Sequence, residues 1–186
     1  RSVRVFRSFL VEQADPEVLY GQLARDSADL LEQYGTLDLK TVVDVGAGPH
    51  QFAREFTARG ATYIPIDLDA SAPSLQYGGA AADAQHLPFG DNSMDIVFSS
   101  NLIEHVPSPS DVANELARIA KPGGLVFVAY TNWFSPWGGH ETSPWHWFGG
   151  RDAIRRYVRK HGHLPKNRVG ENVFKVSVGW GIEWAK

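Results

Sequence analysis

The sequence predicts an α/β fold: an open, doubly wound, mostly parallel sheet with helices on both faces. Three observations carry that expectation. Short apolar runs of the kind buried on both faces of a parallel sheet alternate with helix-length segments. The segments between them are long enough for parallel crossovers. The first clear strand turns through a pair of glycines straight into a helix, and sheets of this type take ligands at the carboxyl ends of their strands. With 186 residues the chain can form one domain with a full core. Its expected parts are an N-terminal helical segment (1–40), a ligand-binding core (41–131), an aromatic insertion (132–150), and a basic helix followed by a C-terminal strand (151–186).

The elements follow in order. Asp15-Pro16 followed by "EVLYGQLARDSADLLEQY" reads as a helix capped by Asp15, with Pro16 in its first turn and Val18, Leu19, Leu23, Leu30 and Leu31 near helical spacing. "TVVDVG" is a buried strand, and "HQFAREFTARG" is a helix stopped by Gly60. "ATYIPID" is the second strand, "GAAAD" a weak third and "MDIVFSS" a fourth. "SDVANELARIAK" is a helix capped by Ser110 and ended by Pro122-Gly123-Gly124, and "LVFVAYT" is a fifth strand. After a last helix only "NVFKVSVGW" reads as strand, so the C-terminal part of the sheet is expected to be incomplete. The chain opens on Arg1 and its one Met is Met94, so trimming at the N-terminus is expected as well.

Composition is that of a globular protein: 43% hydrophobic, 21% charged and 12% aromatic residues. A net charge of −3 gives no reason to expect nucleic acid as the main partner. Without cysteine there is no disulfide, thiolate metal site or cysteine nucleophile, which suits a cytoplasmic setting. No apolar run approaches the roughly 20 residues of a transmembrane helix.

The residues that point to chemistry begin with "VVDVGAGPH", Val42 to His50. Asp44 lies just inside the strand end, and Gly46 and Gly48 form a turn that lets backbone approach a ligand beside a helix N-terminus. The third glycine of G-x-G-x-x-G is replaced by Gln51, preceded by the bulky His50. Asp67 ends the second strand, placed to accept both hydroxyls of a ribose. Asp83 ends the third, placed to accept from the exocyclic amine of a purine. Each acid alone could simply cap a following helix. Together they suit a cofactor with a cationic centre, a ribose and an adenine.

Through "VVDVGAGPH", "YIPIDLD", "ADAQHLPFGDNSMDIVFSSNLIEHV" and "ELARIAKPGGLVFVAY" the chain resembles the class I S-adenosylmethionine-dependent methyltransferases, whose fold is Rossmann-like. "GGHE", "GG" and "HGHLPKN" resemble a group of uncharacterised actinobacterial methyltransferases. The resemblance implies S-adenosylmethionine as cofactor and methyl transfer to a small-molecule or lipid-like acceptor. It implies that Asp44, Gly46, Ala47 and Gly48 line the methionine end, that Asp67 holds the ribose and that Leu68 packs on the adenine. It further implies that Asp83 and the backbone of Ala84 read the adenine edge, and that Asn101 and Leu102 flank the sulfonium.

Candidate proton acceptors or polar acceptor contacts are His105, after the fourth strand, and His140 and Glu141, after the fifth. The stretch "WFSPWGGHETSPWHWFGG" holds four of the six Trp. It lacks the second His of H-E-x-x-H, and His140, Glu141 and His146 have no helical spacing, so no metal site is expected. Its Gly and Pro content suggests irregular surface chain, so it is expected to form a lid, with Trp133, Trp137, Trp145 and His146 against the substrate. Residues 151–168 carry seven Lys or Arg and one Asp. Arg151, Arg155 and Arg159 share a helix face there and could meet an anionic group. The competing readings are a non-catalytic cofactor-binding or partner-binding module, a nicotinamide-dependent oxidoreductase, and an RNA methyltransferase. The absent third glycine and the extra acid Asp83 disfavour the oxidoreductase, and "SSNLIEHV" is unlike the tetrapeptide of amino-group nucleic-acid methyltransferases.

Overall fold

A computed structural model describes residues 16–186, so the Asp15 cap lies outside the described residues. The chain divides into two compact units, one of residues up to 99 with 115–127, the other of 100–114 with 128–186.

The first unit is built on the sheet. Helix α1 (Pro16–Leu31) leads to β1 (Thr41–Val45), α2 (Gln51–Ala58), β2 (Thr62–Asp67), the short β3 (Ala80–Ala81), β4 (Met94–Ser100), α3 (Pro109–Ile119) and β5 (Ala120–Ala129); the part of α3 up to Asn114 and the last two residues of β5 belong to the second unit. The strand order is β3-β2-β1-β4-β5. β1 runs parallel to β2 and β4, and β2 parallel to β3. The doubly wound α/β expectation therefore holds. β1 is buried almost end to end, as its unbroken apolar run requires. Its neighbours and two helices form the core. Ala24, Ala28 and Leu31 of α1 and Phe52, Ala53 and Phe56 of α2 pack with Val42, Tyr63, Ile96 and Phe98. Phe56 meets Phe98 edge-on at 5.1 Å, and Phe98 stacks on Phe127 at 4.9 Å. The outer faces of α1 and α2 are joined by Arg59, which reaches Asp29, Glu32 and Glu55 at 2.6–2.8 Å.

β5 starts five residues before its predicted beginning, at Ala120, and takes in Lys121-Pro122-Gly123-Gly124. It lies at the end of the strand order, where a proline's missing N–H is tolerated. Helix α3 accordingly ends at Ile119, and its last carbonyls accept from Asn92 and Ser93.

The second unit holds two 3₁₀ turns within the aromatic stretch (His140–Thr142 and Trp145–Phe148), α4 (Gly150–His161) and α5 (Val178–Trp184). The predicted C-terminal strand is not formed. Within 172–180 only an isolated bridge joins Val173 to Val169, and the segment ends in α5. Ser177 decides this: its hydroxyl caps the helix by accepting the Trp180 N–H at 3.2 Å. The helix then stacks Trp180 on Trp184 and lets their indole N–H groups donate to Ser110 and Asn114. Among the described residues no helix is long and apolar enough to cross a membrane.

Candidate functional site

The glycine turn is held by the strand beside it. The N–H groups of Gly46 and Ala47 both donate to the Ile66 carbonyl, at 2.8 and 3.0 Å. The Gly48 N–H donates to Oδ2 of Asp67 at 2.8 Å. Gly46 and Gly48 have φ of 77° and 42°, in the left-handed region that a side chain would strain. Asp67 thus anchors the loop through one oxygen, while its Oδ1 takes the Asp69 N–H at 2.9 Å. Each oxygen keeps a further lone pair for a ligand hydroxyl.

The three predicted acids differ in setting. Asp67 is half-buried and Asp83 exposed, its Oδ1 taking the Gln85 N–H at 2.9 Å. Leu68 is 77% exposed, an apolar side chain left open at the end of β2. Asp44 is only 1% exposed and receives the Tyr63 hydroxyl. Burial raises its pKa to about 7; the Tyr63 hydrogen bond pulls the other way, and the Asp67 charge adds to the rise. Asp44 therefore lies beneath the loop as a titratable group, and not on the open rim with the other two.

Among the described residues, two buried polar atoms near the loop lack protein partners: Oε1 of Gln51 and Oγ of Ser74. Gln51 opens α2, and its amide donates to Glu17 at 2.8 Å. The Ser74 N–H donates to the Gly48 carbonyl at 3.3 Å. Buried polar groups are nearly always paired, so these two atoms hold hydrogen-bonding capacity that the described residues do not use. Sequence reading noticed Gln51 only as a missing glycine and did not single out Ser74.

In the second unit the structure brings His105 and His140 together, with ring centroids 5.1 Å apart, and adds Glu104. Burial, then the neighbouring His105, lowers the His140 pKa, so the ring is neutral at neutral pH. Glu141 accepts from Asn167 at 3.3 Å through one oxygen, and the other is buried without a partner. Glu104 was missed because its side chain was read as part of the run "NLIEHV". The signal was present: an acid inside an otherwise apolar stretch after a strand.

The aromatic stretch divides. Trp133 and His146 are buried and meet edge to face at 4.9 Å, with His146 Nε2 hydrogen-bonded to the Trp133 carbonyl at 3.0 Å. These two are therefore a local core and not the substrate wall predicted for them. Gly139 packs so tightly on His146 that a Cβ would come within 2.4 Å of it. Trp137 is half-buried. Trp145, Trp147 and Phe148 are exposed. The α4 residue that engages them is Arg156, whose guanidinium lies 4.2 Å from the Trp145 ring centre. Of the predicted anion contacts, Arg151 and Arg159 are exposed and Arg155 pairs with Asp152 at 3.2 Å.

A depression of about 290 Å³ lined by Tyr34, Lys40, Asp95 and Lys121 lies at the amino ends of β1 and β4. That is the wrong end of a parallel sheet for a cofactor.

A parallel sheet whose first strand ends in a glycine turn, pinned by the next strand's carboxylate, defines a doubly wound α/β protein of the class that takes ligands at its strand ends. Residues 43–128 match the family model described as a methyltransferase domain. The chain is 45% identical over 197 residues to an uncharacterised methyltransferase of Mycobacterium sp. (strain KMS), with all of this chain and 78% of that protein covered. It is 43% identical over 203 residues to one from Mycobacteroides abscessus, with the same coverage. A solved S-adenosylmethionine-dependent methyltransferase from Thermotoga maritima superposes with a TM-score of 0.59 at 19% identity, covering 97% of this chain and 77% of that one. The chain belongs to the methyltransferase family of these relatives, and its fold is that of the class I, Rossmann-like methyltransferases.

Proposed function

We propose that this methyltransferase moves the methyl group of S-adenosylmethionine to a small-molecule or lipid-like acceptor, by in-line displacement in a desolvated pocket. The observation that carries the cofactor half is the Asp67–Gly48 junction, with the unpartnered atoms of Gln51 and Ser74 beside it. The cofactor, when bound, supplies an activated methyl on a sulfonium. Asp67 would accept the ribose hydroxyls, Leu68 would cover the adenine, and Asp83 with the Ala84 N–H would read its edge. Gly46, Ala47 and Gly48 would admit the methionine end, and Asp44 below them would favour its positive charge. Asn101, held at φ 58° with its N–H on the Ala129 carbonyl, and Leu102 would border the sulfonium.

On the acceptor side, His140 is neutral and its Nε2 has no partner, which suits it to take a proton or a hydrogen bond from the acceptor. His105 and Glu141 would support it. Holding two reactants in line can lower the barrier by roughly 7–11 kcal/mol, and a base adds about 10²–10⁴ in rate. Trp145, Trp147 and Phe148 would form the lid that excludes water, and Arg151, Arg155 and Arg159 would meet an anionic group of the acceptor.

The test is calorimetric titration with S-adenosylmethionine, S-adenosylhomocysteine and the nicotinamide nucleotides in parallel. Only the first pair should bind, and Asp83→Ala should weaken both. Binding of a nicotinamide nucleotide alone would overturn the reading. A salt series on acceptor binding checks the arginines, because an anionic contact weakens as salt rises.

A further inference from the structure

Glu104, His105 and His140 each offer one ligand atom, and no two of these atoms lie more than 4.8 Å apart. Glu104 and His105 are each held by a contact that leaves an electron pair free. Oε1 of the buried Glu104 takes the Thr131 N–H at 2.8 Å, whereas its Oε2 is buried with no partner. Nδ1 of His105 lies 2.7 Å from the Asn172 carbonyl. A carbonyl only accepts, so that nitrogen carries the hydrogen and the lone pair sits on Nε2. A backbone carbonyl on one imidazole nitrogen is the usual support for a metal on the other. Nε2 of His140 is buried and unpartnered too. His140 is also held at φ 49°, a conformation that non-glycine residues adopt seldom and at some cost.

A buried carboxylate oxygen beside two imidazole lone pairs is costly unless a cation joins them. Two imidazoles and one carboxylate are the donor set of open zinc sites, which keep a further position for water or substrate. Imidazole donors favour first-row transition ions over magnesium or calcium. Ligand atoms about 2.1 Å from a tetrahedral ion sit roughly 3.4 Å from one another, so modest side-chain rotation would close the set.

We propose that Glu104, His105 and His140 form a binding site for a divalent transition-metal ion of the zinc class, with a coordination position left open. The site is a property of the second unit and stands whether or not the first unit binds S-adenosylmethionine; a bound ion takes the Nε2 lone pair of His140, so that the open coordination position, and no longer that nitrogen, faces the acceptor. His146, with its Nε2 on the Trp133 carbonyl, takes no part.

The experiment titrates the chelator-treated, untagged chain with cobalt(II) chloride and follows visible absorption, with no cofactor or acceptor present. One equivalent of cobalt should produce the ligand-field bands of a low-coordinate site, and zinc chloride should abolish them. Glu104→Gln, which keeps an acceptor for Thr131, and His140→Asn, which tolerates the left-handed backbone, should each weaken cobalt binding about 100-fold or more. The double variant His161→Ala/His163→Ala should bind as before, which excludes the histidine pair around Tyr157. Circular dichroism establishes that each variant is folded. Absence of the bands from the unaltered chain, or their survival in folded Glu104→Gln and His140→Asn variants, would overturn the site. Because S-adenosylmethionine binding is measured separately, its failure would leave this result untouched.

Discussion

The glycine turn of the first unit and the histidine cluster of the second are both polar, but they are finished to different degrees. In the turn, N–H groups are already matched: Gly46 and Ala47 to Ile66, Gly48 to Asp67. The loop keeps its shape through its own bonds and, among the described residues, leaves two nearby buried atoms, on Gln51 and Ser74, without partners. In the cluster the ligand-type atoms of Glu104 and His140 are the unmatched ones. A site that supplies its own partners can be prearranged for a cofactor common to a whole family. A site that withholds them keeps its bonding capacity for whatever it binds, and that is where members of a family would differ.

The contrast can be broken most severely at Asp67. Asp67→Ala removes the anchor of Gly48 as well as the proposed ribose contact. Losing two bonds to a charged group should weaken S-adenosylmethionine by about 10²–10³-fold in calorimetry. An effect under tenfold would mean that the turn stands without its anchor.

Asp44→Asn comes next and acts on stability as well as binding. Because the folded pKa is raised from 3.8 to about 7, the native state keeps a proton that the unfolded chain gives up. Stability from this group is therefore present below about pH 4 and lost as pH rises to about 7. The Asn variant should lose that pH dependence and be more stable at pH 8 by roughly 2–4 kcal/mol in urea denaturation. It should also bind S-adenosylmethionine more weakly, since the negative charge is gone. A cation bound above Asp44 should draw its proton off, so the binding enthalpy near pH 6.5 should change with the ionisation heat of the buffer.

Trp145→Ala should cost about 1–2 kcal/mol in acceptor affinity, through lost apolar contact and the lost Arg156 stack, and leave cofactor affinity unchanged. Equal loss of both would remove the aromatic stretch from the acceptor side. The smallest effect is expected from Arg59→Ala. Its three carboxylate partners are at 2.6–2.8 Å but half-exposed or more open apart from Glu55, so about 1 kcal/mol of stability should go, less in high salt.

The two regions were also unequally legible in the sequence. The turn and the acids Asp67 and Asp83 depend on local chemistry: glycine where φ is positive, a carboxylate at or just past a strand end. Such features survive without knowledge of the fold. The cluster joins Glu104 and His105 to a residue 35 positions further on and is braced by Asn172, and no local period marks such a meeting. Asp44 stands in the chain where a strand-end acid is expected, but its burial under Tyr63 depends on the neighbouring strand. The C-terminal segment "NVFKVSVGW" has β-branched and aromatic residues that suit a strand, but the cap at Ser177 and the indole hydrogen bonds of Trp180 and Trp184 outweigh that propensity.

All six tryptophans lie between Trp133 and Trp184, inside the second unit, and the first unit has none. Indole emission is thus a private signal from one half of the molecule, while far-ultraviolet ellipticity sums over both. Melting curves recorded by the two methods on one sample will coincide if the halves unfold as one body and separate if they do not. Ligands can be sorted in the same way: one that alters emission has been felt by the tryptophan-bearing half, without any label being added.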